Sequence, residues 1–295
     1  MNREYLVGVD FGGTNIRAGL IDLAGKLVKK FEIPTDAKKG KKQVVDNLIL
    51  AIDKVKKEGV IGVGIACPGP IDSRKTMLLD PPNLPGWKET PLKKIVEERI
   101  KLPVFLENDA NCFAIAESKC GEGRKTKNIV AVTLGTGIGS GIIIDNKLYV
   151  GENGTAGELG HMIVEADGLK CTCGNFGCWE MYVSAKGIKA RYELLKGKSA
   201  PEVPEIVKMA RADSELKELI NETGVYLGIG LANIINIFDP GLIVIGGGIS
   251  NIKALLPIAL KEAKKRAFTP CGKRTEIIIT KMEDPNIIGA ASIIK

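Results

Sequence analysis

The sequence predicts an α/β fold built by duplication, two related domains around one cleft, and three observations carry that prediction. Residues 7–22 (VGVDFGGTNIRAGLID) align without gaps on residues 130–145 (VAVTLGTGIGSGIIID), with five of sixteen positions identical. Each copy runs as alternating apolar residues into a glycine-rich tip and leaves it as a second apolar run. That is the pattern of a β-hairpin, not of a strand feeding a helix. Helical patterns and further apolar runs follow both copies, as two α/β units require.

Taken in order, the first strand opens at Tyr5, and apolar residues after the hairpin suffice for a third strand. Val44, Val45, Leu48, Ile52 and Val55 then recur at helical spacing, and Gly59 ends the pattern. VIGVGIACPG reads as a strand, followed by a proline-rich loop at 80–87. LPVFLEND reads as a strand leading into a helix from about Ala110. Beyond a cysteine-rich stretch at 161–180 the chain reads as largely helical over 183–237, then as a strand (LIVIGGG) and a helix near 252–268. A last strand (EIIIT) and a terminal helix (NIIGAASII) complete it. The expected division is a small domain over 1–115, joined by the returning segment 285–295, and a large domain over 116–284.

Composition narrows the function classes. With 44% hydrophobic and 26% charged residues, the chain has the make-up of a globular protein rather than a disordered one. The formal net charge is +7, yet the lysines are scattered and accompany no DNA- or RNA-binding motif. The charge therefore reads as a solvated surface with a bias toward anionic small molecules, and no nucleic-acid partner is expected. No run of ~20 apolar residues could span a bilayer. Without a leader pattern, the expected location is the cytoplasm. Seven cysteines in a reducing compartment argue for metal binding over disulfides.

The glycine tips are candidate phosphate sites. Asp10 ends a strand, and Gly12, Gly13 and Thr14 follow it in DFGGT. Glycines there let backbone N–H groups approach a phosphate, and the Asp10 carboxylate suits Mg²⁺. Gly135, Thr136 and Gly137 form the second tip, and Gly247 in IGGGIS is a third point of close approach that could accept a nucleoside. Two familiar alternatives fail. The second glycine run opens into a strand, whereas a dinucleotide fingerprint opens a helix. GKS at 197–199 has Tyr192 where a P-loop needs glycine.

In ENDAN, Asp109 sits where a strand meets a helix, so it reads either as a helix cap or as a general base taking a proton from an attacking hydroxyl. Farther on, His161 is the single histidine of the chain, followed by Cys171, Cys173 and Cys178. This Cys₃His set matches tetrahedral zinc, and four protein ligands leave no open position, so the ion would be structural. Metal on one ring nitrogen fixes the direction of the other. Glu158 and Glu180 flank the set, so the metal would pin two carboxylates and an imidazole N–H into one wall suited to a polyhydroxylated ligand.

In combination, DFGGTN, END, LGTGIGSG, GELGH and CTCGNFGCWE resemble the ROK family, the bacterial sugar kinases and sugar-responsive repressors, over nearly the whole chain. The resemblance implies the actin-like ATPase (ribonuclease H-like) fold and an ATP-dependent hexose kinase, most like a glucokinase. It implies Asp109 as the base for the sugar 6-hydroxyl, with Asn108, Glu158, His161 and Glu180 as sugar ligands and Gly69 and Asn83 on the sugar side. Asp10, Gly12, Gly13, Thr14, Gly135, Thr136 and Gly137 would hold ATP and Mg²⁺, and a structural zinc and a homodimer are further implications. Kinases for N-acetylmannosamine, N-acetylglucosamine, mannose or fructose stand as alternatives, polyphosphate as an alternative donor, and a catalytically silent sugar sensor as a rival of another class. The helix-turn-helix of the repressors is not expected ahead of the strand at Tyr5.

Overall fold

Each predicted hairpin opens a five-stranded mixed sheet in the computed structural model, which describes residues 4–81, 83–272 and 274–295. In the first half, β1 (Tyr5–Phe11), β2 (Asn15–Asp22) and β3 (Leu27–Pro34) form an antiparallel meander. After α1 (Lys41–Val55) come β4 (Val60–Cys67), α2 (Leu92–Ile100) and β5 (Val104–Asn108). β4 pairs parallel to β1 and β5 parallel to β4, giving the order β3-β2-β1-β4-β5.

The second half repeats this plan. After α3 (Asp109–Lys119), the strands β6 (Ile129–Leu134), β7 (Ile138–Ile144) and β8 (Lys147–Tyr149) form the second meander. Four helices follow the cysteine-rich stretch: α4 (Glu180–Val183), α5 (Ala185–Lys196), α6 (Val203–Met209) and α7 (Ser214–Phe238). β9 (Leu242–Gly246), α8 (Leu255–Arg266), α9 (Thr269–Gly272), β10 (Glu276–Ile279) and α10 (Pro285–Ala291) complete the chain. β9 lies parallel to β6 and β10 parallel to β9, so the second sheet reads β8-β7-β6-β9-β10, the order of the first. The duplication seen in sixteen residues of sequence is thus a duplication of whole sheets.

The packing follows from side-chain periodicity. Val44, Val45, Leu48, Ile52 and Val55 are the buried face of α1, as their spacing predicts. β1 and β9 are buried on both faces, which is why they read as continuous apolar runs. The proline-rich loop is tied down by Leu84 and Trp87, whose ring lies 5.4 Å from that of Phe11. In the second half, Trp179 is fully buried and donates its indole N–H to Tyr226 O at 2.8 Å, joining the cysteine-rich stretch to α7.

Two helices lie between the sheets. α10 returns to pack on β1 and β4, while α3 spans the expected break at residue 115 and packs on β6 and β7. The two helices also pack on each other at backbone distance. A Cβ added at Gly289 would stand 1.9 Å from Cys112 O, and one at Gly64 would stand 1.8 Å from Ala290 O. Only glycine permits this approach.

The parallel strands place the chemistry. Asp10 and Asn108 lie at the carboxyl ends of β1 and β5, while the second glycine tip and Gly247 follow the carboxyl ends of β6 and β9. Carboxyl ends of parallel strands are where open α/β sheets bind ligands. Among the described residues, no helix is long and apolar enough to cross a membrane.

Candidate active site

Asn108, and not Asp109, caps α3. The Asn108 side chain accepts from the N–H groups of Ala110 and Asn111 at 3.0 and 3.2 Å, and the helix starts at Asp109 rather than Ala110. Asp109 is therefore relieved of the capping role that the sequence left open for it. One of its oxygens accepts from Ala110 N–H at 2.8 Å. Desolvation, reinforced by the charges of Asp10 and Glu158, raises its carboxyl to about 6 against the lowering effect of that Ala110 N–H.

Asp109 lines a cavity of about 350 Å³ together with Asp10, Thr133, Gly247 and Asp284. Among the described residues its one cationic lining side chain is Arg17, which sequence reasoning missed. Arg17 stands directly across the hairpin from Asp10 and forms a close ion pair with it, and its other terminal nitrogen lies 3.5 Å from Asp284. The signal was available, because counting back from the glycine tip pairs position 10 with position 17. Asn286 Nδ2 also donates to Asp10 at 3.3 Å, so α10 reaches the same carboxylate. In the second hairpin the positions aligned with Asp10 and Arg17 are Thr133 and Ser140, so duplication of the fold did not duplicate this charge pair.

The two tips share one trait. Among the described residues, the backbone N–H groups of Gly13 and Thr14, and those of Thr136 and Gly137, donate to no protein acceptor. Consecutive free N–H groups form an anion-binding concavity. The first tip is braced by Thr35, whose hydroxyl donates to Gly12 O at 2.6 Å, and it packs against Asn83. The second tip rests on the start of α5, where Ala185 and Lys186 donate N–H to the carbonyls of Gly135 and Thr136 at 2.9 and 3.2 Å. Gly135 and Thr136 also line a largely apolar cavity of about 660 Å³ shared with Val203, Val207, Gly248 and Ile249. Gly247, at φ 88, lines the Asp109 cavity while its neighbour Gly248 lines the apolar one, and a Cβ at Gly247 would stand 2.4 Å from Leu134 O.

His161, Cys171, Cys173 and Cys178 come together, their ligand atoms all within 4.8 Å of one another. His161 Nδ1 lies 3.8 Å from Cys171 Sγ, and Cys173 Sγ lies 3.6 Å from Cys178 Sγ. A tetrahedral zinc with Zn–S of ~2.3 Å sets edges of about 3.8 Å, so the donor set fits that ion in both chemistry and size. With Nδ1 turned to the sulfurs, His161 Nε2 faces Glu158 Oε2 at 4.0 Å.

Glu180 departs from the open wall that its position suggested. Its Oε2 accepts from Ile138 N–H at 2.9 Å, and its Oε1 lies 3.7 Å from Lys186 Nζ, a second residue that sequence reasoning missed. A Cβ at Gly137 would stand 2.3 Å from the same carboxylate. On the first-sheet side, Asn108 Nδ2 donates to Gly69 O at 3.4 Å, joining those two positions. Glu158, His161 and Glu180 do not line the cavity that holds Asp10 and Asp109, although the charge of Glu158 reaches Asp109.

Comparison with known proteins agrees with this geometry. The ROK family profile matches residues 6–295. A glucokinase of Thermotoga maritima is 36% identical over 312 aligned positions, covering 100% of this chain and 98% of the relative. A xylose repressor of Bacillus subtilis is 32% identical, covering 98% of this chain and 77% of its own. The structure of a ROK family glucokinase from Streptomyces griseus in complex with glucose and AMPPNP superposes with a TM-score of 0.82, at 33% identity and 98% coverage of both chains. The fold is accordingly of the actin-like ATPase type, and the chain belongs to the ROK family.

Proposed function

We propose that the protein transfers the γ-phosphoryl group of ATP to the 6-hydroxyl of a hexose, with glucose as the favoured acceptor. The observation that carries this reading is Asp109, a carboxylate freed from capping by Asn108 and held near 6 in a cavity that also contains Asp10 and Arg17. Such a group accepts a proton readily at neutral pH.

In this reading the sugar lies against Glu158, His161, Asn108 and the Gly69 and Asn83 loops, with Glu180 bracing the second tip. The nucleoside enters the apolar cavity beside Thr136 and Gly248, and its phosphates lie on the free N–H groups of the two tips. The C6 oxygen attacks the γ-phosphorus, its proton passes to Asp109, and the bond to the bridging oxygen of ADP breaks. Backbone amides and Arg17 oppose the charge that develops on the transferring group. Asp10 and Asp284 present the carboxylate oxygens that Mg²⁺ prefers, and the ion would neutralise phosphate charge there. Zinc in the Cys₃His set would orient the His161 ring, leaving Nε2 to the sugar.

The 1–115 and 285–295 segments are proposed to close as one body against 116–284, which would bring Glu158 and His161 over the Asp109 cavity. A cytoplasmic homodimer is proposed as the working form. The assay is ADP release with ATP, and separately with polyphosphate, over glucose, mannose, fructose, N-acetylmannosamine and N-acetylglucosamine. Turnover with none of these sugars overturns the reading. The likeness to a xylose repressor favours a second reading, a sugar sensor without turnover. Sugar binding with no ADP released is its signature.

A further inference from the structure

A cavity of about 550 Å³ opens between β5, α3, the β7–β8 turn and the C-terminal residues, and it shares no lining residue with the cavity of Asp10 and Asp109. Among the described residues, Arg74, Lys75, Lys93, Lys119 and Lys295 line it, against a single acidic side chain, Glu107. Phe105, Leu106, Ile143 and Ile293 give it an apolar floor. We propose that this cavity is a second ligand site, for a small organic phosphomonoester whose dianionic head meets the cations and whose uncharged body lies on that floor.

The charges show why an anion fits. Lys75 is held at φ 56 by a built turn, in which Asp72 Oδ1 accepts from the N–H groups of Thr76 and Met77, each at 2.6 Å. That turn delivers the Lys75 ammonium to Glu107, a carboxylate only 4% exposed, which also accepts from Asn108 N–H and Asn111 Nδ2 at 3.0 Å each. The one acidic side chain described in the cavity is thus already neutralised, and four cationic side chains, Arg74, Lys93, Lys119 and Lys295, remain. Lys119 donates to an uncharged acceptor, Ser292 O, at 2.7 Å. Lys93 approaches the partly exposed Glu97 no closer than 3.9 Å and lies over the Phe105 ring at 5.7 Å, with no close carboxylate partner among the described residues. Among the described residues, no carboxylate lies within 4.0 Å of Arg74. Cationic side chains around an apolar floor repel one another and attract a dianion, and a guanidinium with ammonium groups can share the oxygens of one phosphate. A monocarboxylate would leave most of that charge unmatched. Lys75 also ties the cavity to the strand end that carries Asp109, through its partner Glu107.

The test is calorimetric titration of the full chain with phenyl phosphate at saturating ADP, which occupies the nucleotide site of the main cleft, while the double variant below separates this cavity from the open γ-phosphoryl position. One further equivalent should bind with a dissociation constant below about 1 mM. The double substitution Arg74→Ala, Lys93→Ala should weaken this binding by about tenfold or more while leaving ADP affinity unchanged. Absence of saturable binding at ADP saturation, or equal affinity in the double variant, overturns the proposal. No turnover is read in this experiment, so its outcome stands apart from that of the kinase assay.

Discussion

Glu180 Oε2 lies 2.9 Å from Ile138 N, so the residue two positions beyond the last cysteine of the Cys₃His set holds the second glycine tip by its backbone. Lys186 extends the link, donating to Thr172 Oγ1 at 2.5 Å within the cysteine stretch while facing Glu180. The cysteine knuckle and the candidate phosphate tip are therefore one mechanical piece. On the proposal that the Cys₃His set holds zinc, its removal by a strong chelator should raise KM for ATP as well as for sugar and lower the melting temperature, because the ligand set would lose its cross-link. Elemental analysis alongside kinetics checks this, and a loss confined to the sugar side would show that the Glu180 link carries nothing.

Asp109→Asn should bind glucose with near-native affinity and lose about 10²–10⁴-fold in turnover, the range of a missing general base. Its pH dependence has a definite sign. The carboxyl must be ionised to accept a proton, so kcat/KM of the native enzyme should rise with pH through about 6 and then level off. That limb should be absent from the residual activity of the variant.

The same group bears on stability in the opposite sense. Its folded pKa is raised above the unfolded value, so its favourable contribution is complete below about pH 4 and is lost as pH rises through about 6. At pH 7 the native protein holds an ionised carboxylate in a desolvated site. Asp109→Asn should then raise the melting temperature at pH 7, by about 2–4 °C if the relief is roughly 1 kcal/mol. At pH 4 the gain should vanish, which differential scanning calorimetry at the two pH values would reveal.

Arg17→Met removes the cross-strand partner of a carboxylate that is 5% exposed and leaves Asp10 with Asn286 alone. Truncating one member of a desolvated pair destabilises, here by about 1–3 kcal/mol because Arg17 itself is partly exposed. The orphaned Asp10 becomes a better site for a divalent cation. Millimolar Mg²⁺ should therefore raise the melting temperature of the variant more than that of the native protein, and equal shifts would argue against Asp10 as a cation site.

Gly289→Ala tests the helix pair between the sheets. Inside an exposed helix, alanine in place of glycine would stabilise by about 1 kcal/mol. Here the added methyl would lie 1.9 Å from Cys112 O, so the sign should reverse, with a loss of about 2–4 kcal/mol as α10 and α3 are forced apart. Urea denaturation measures it.

Much of this protein is written in short stretches. The apolar alternation and glycine tips of the two copies determined both hairpins, because strand period and turn chemistry act over a few residues. The Cys₃His set was legible because ligand chemistry and close spacing suffice to mark a candidate metal site, and the fold brings the four donors together. Asp109 was visible as either cap or base, and the folded backbone removed the cap reading by giving that role to Asn108. Tertiary structure alone brought Asn286 to Asp10, Glu180 to Ile138 and Lys75 to Glu107, over separations of 276, 42 and 32 residues. A return of the terminal segment to the first domain was expected from the sequence, but the backbone-distance fit of α10 to Gly64 was not legible at all. The division has one physical cause. Periodicity and donor type act within a segment, whereas a partner across the fold is chosen by how the two sheets and their crossing helices close on each other, and no local pattern encodes that distance.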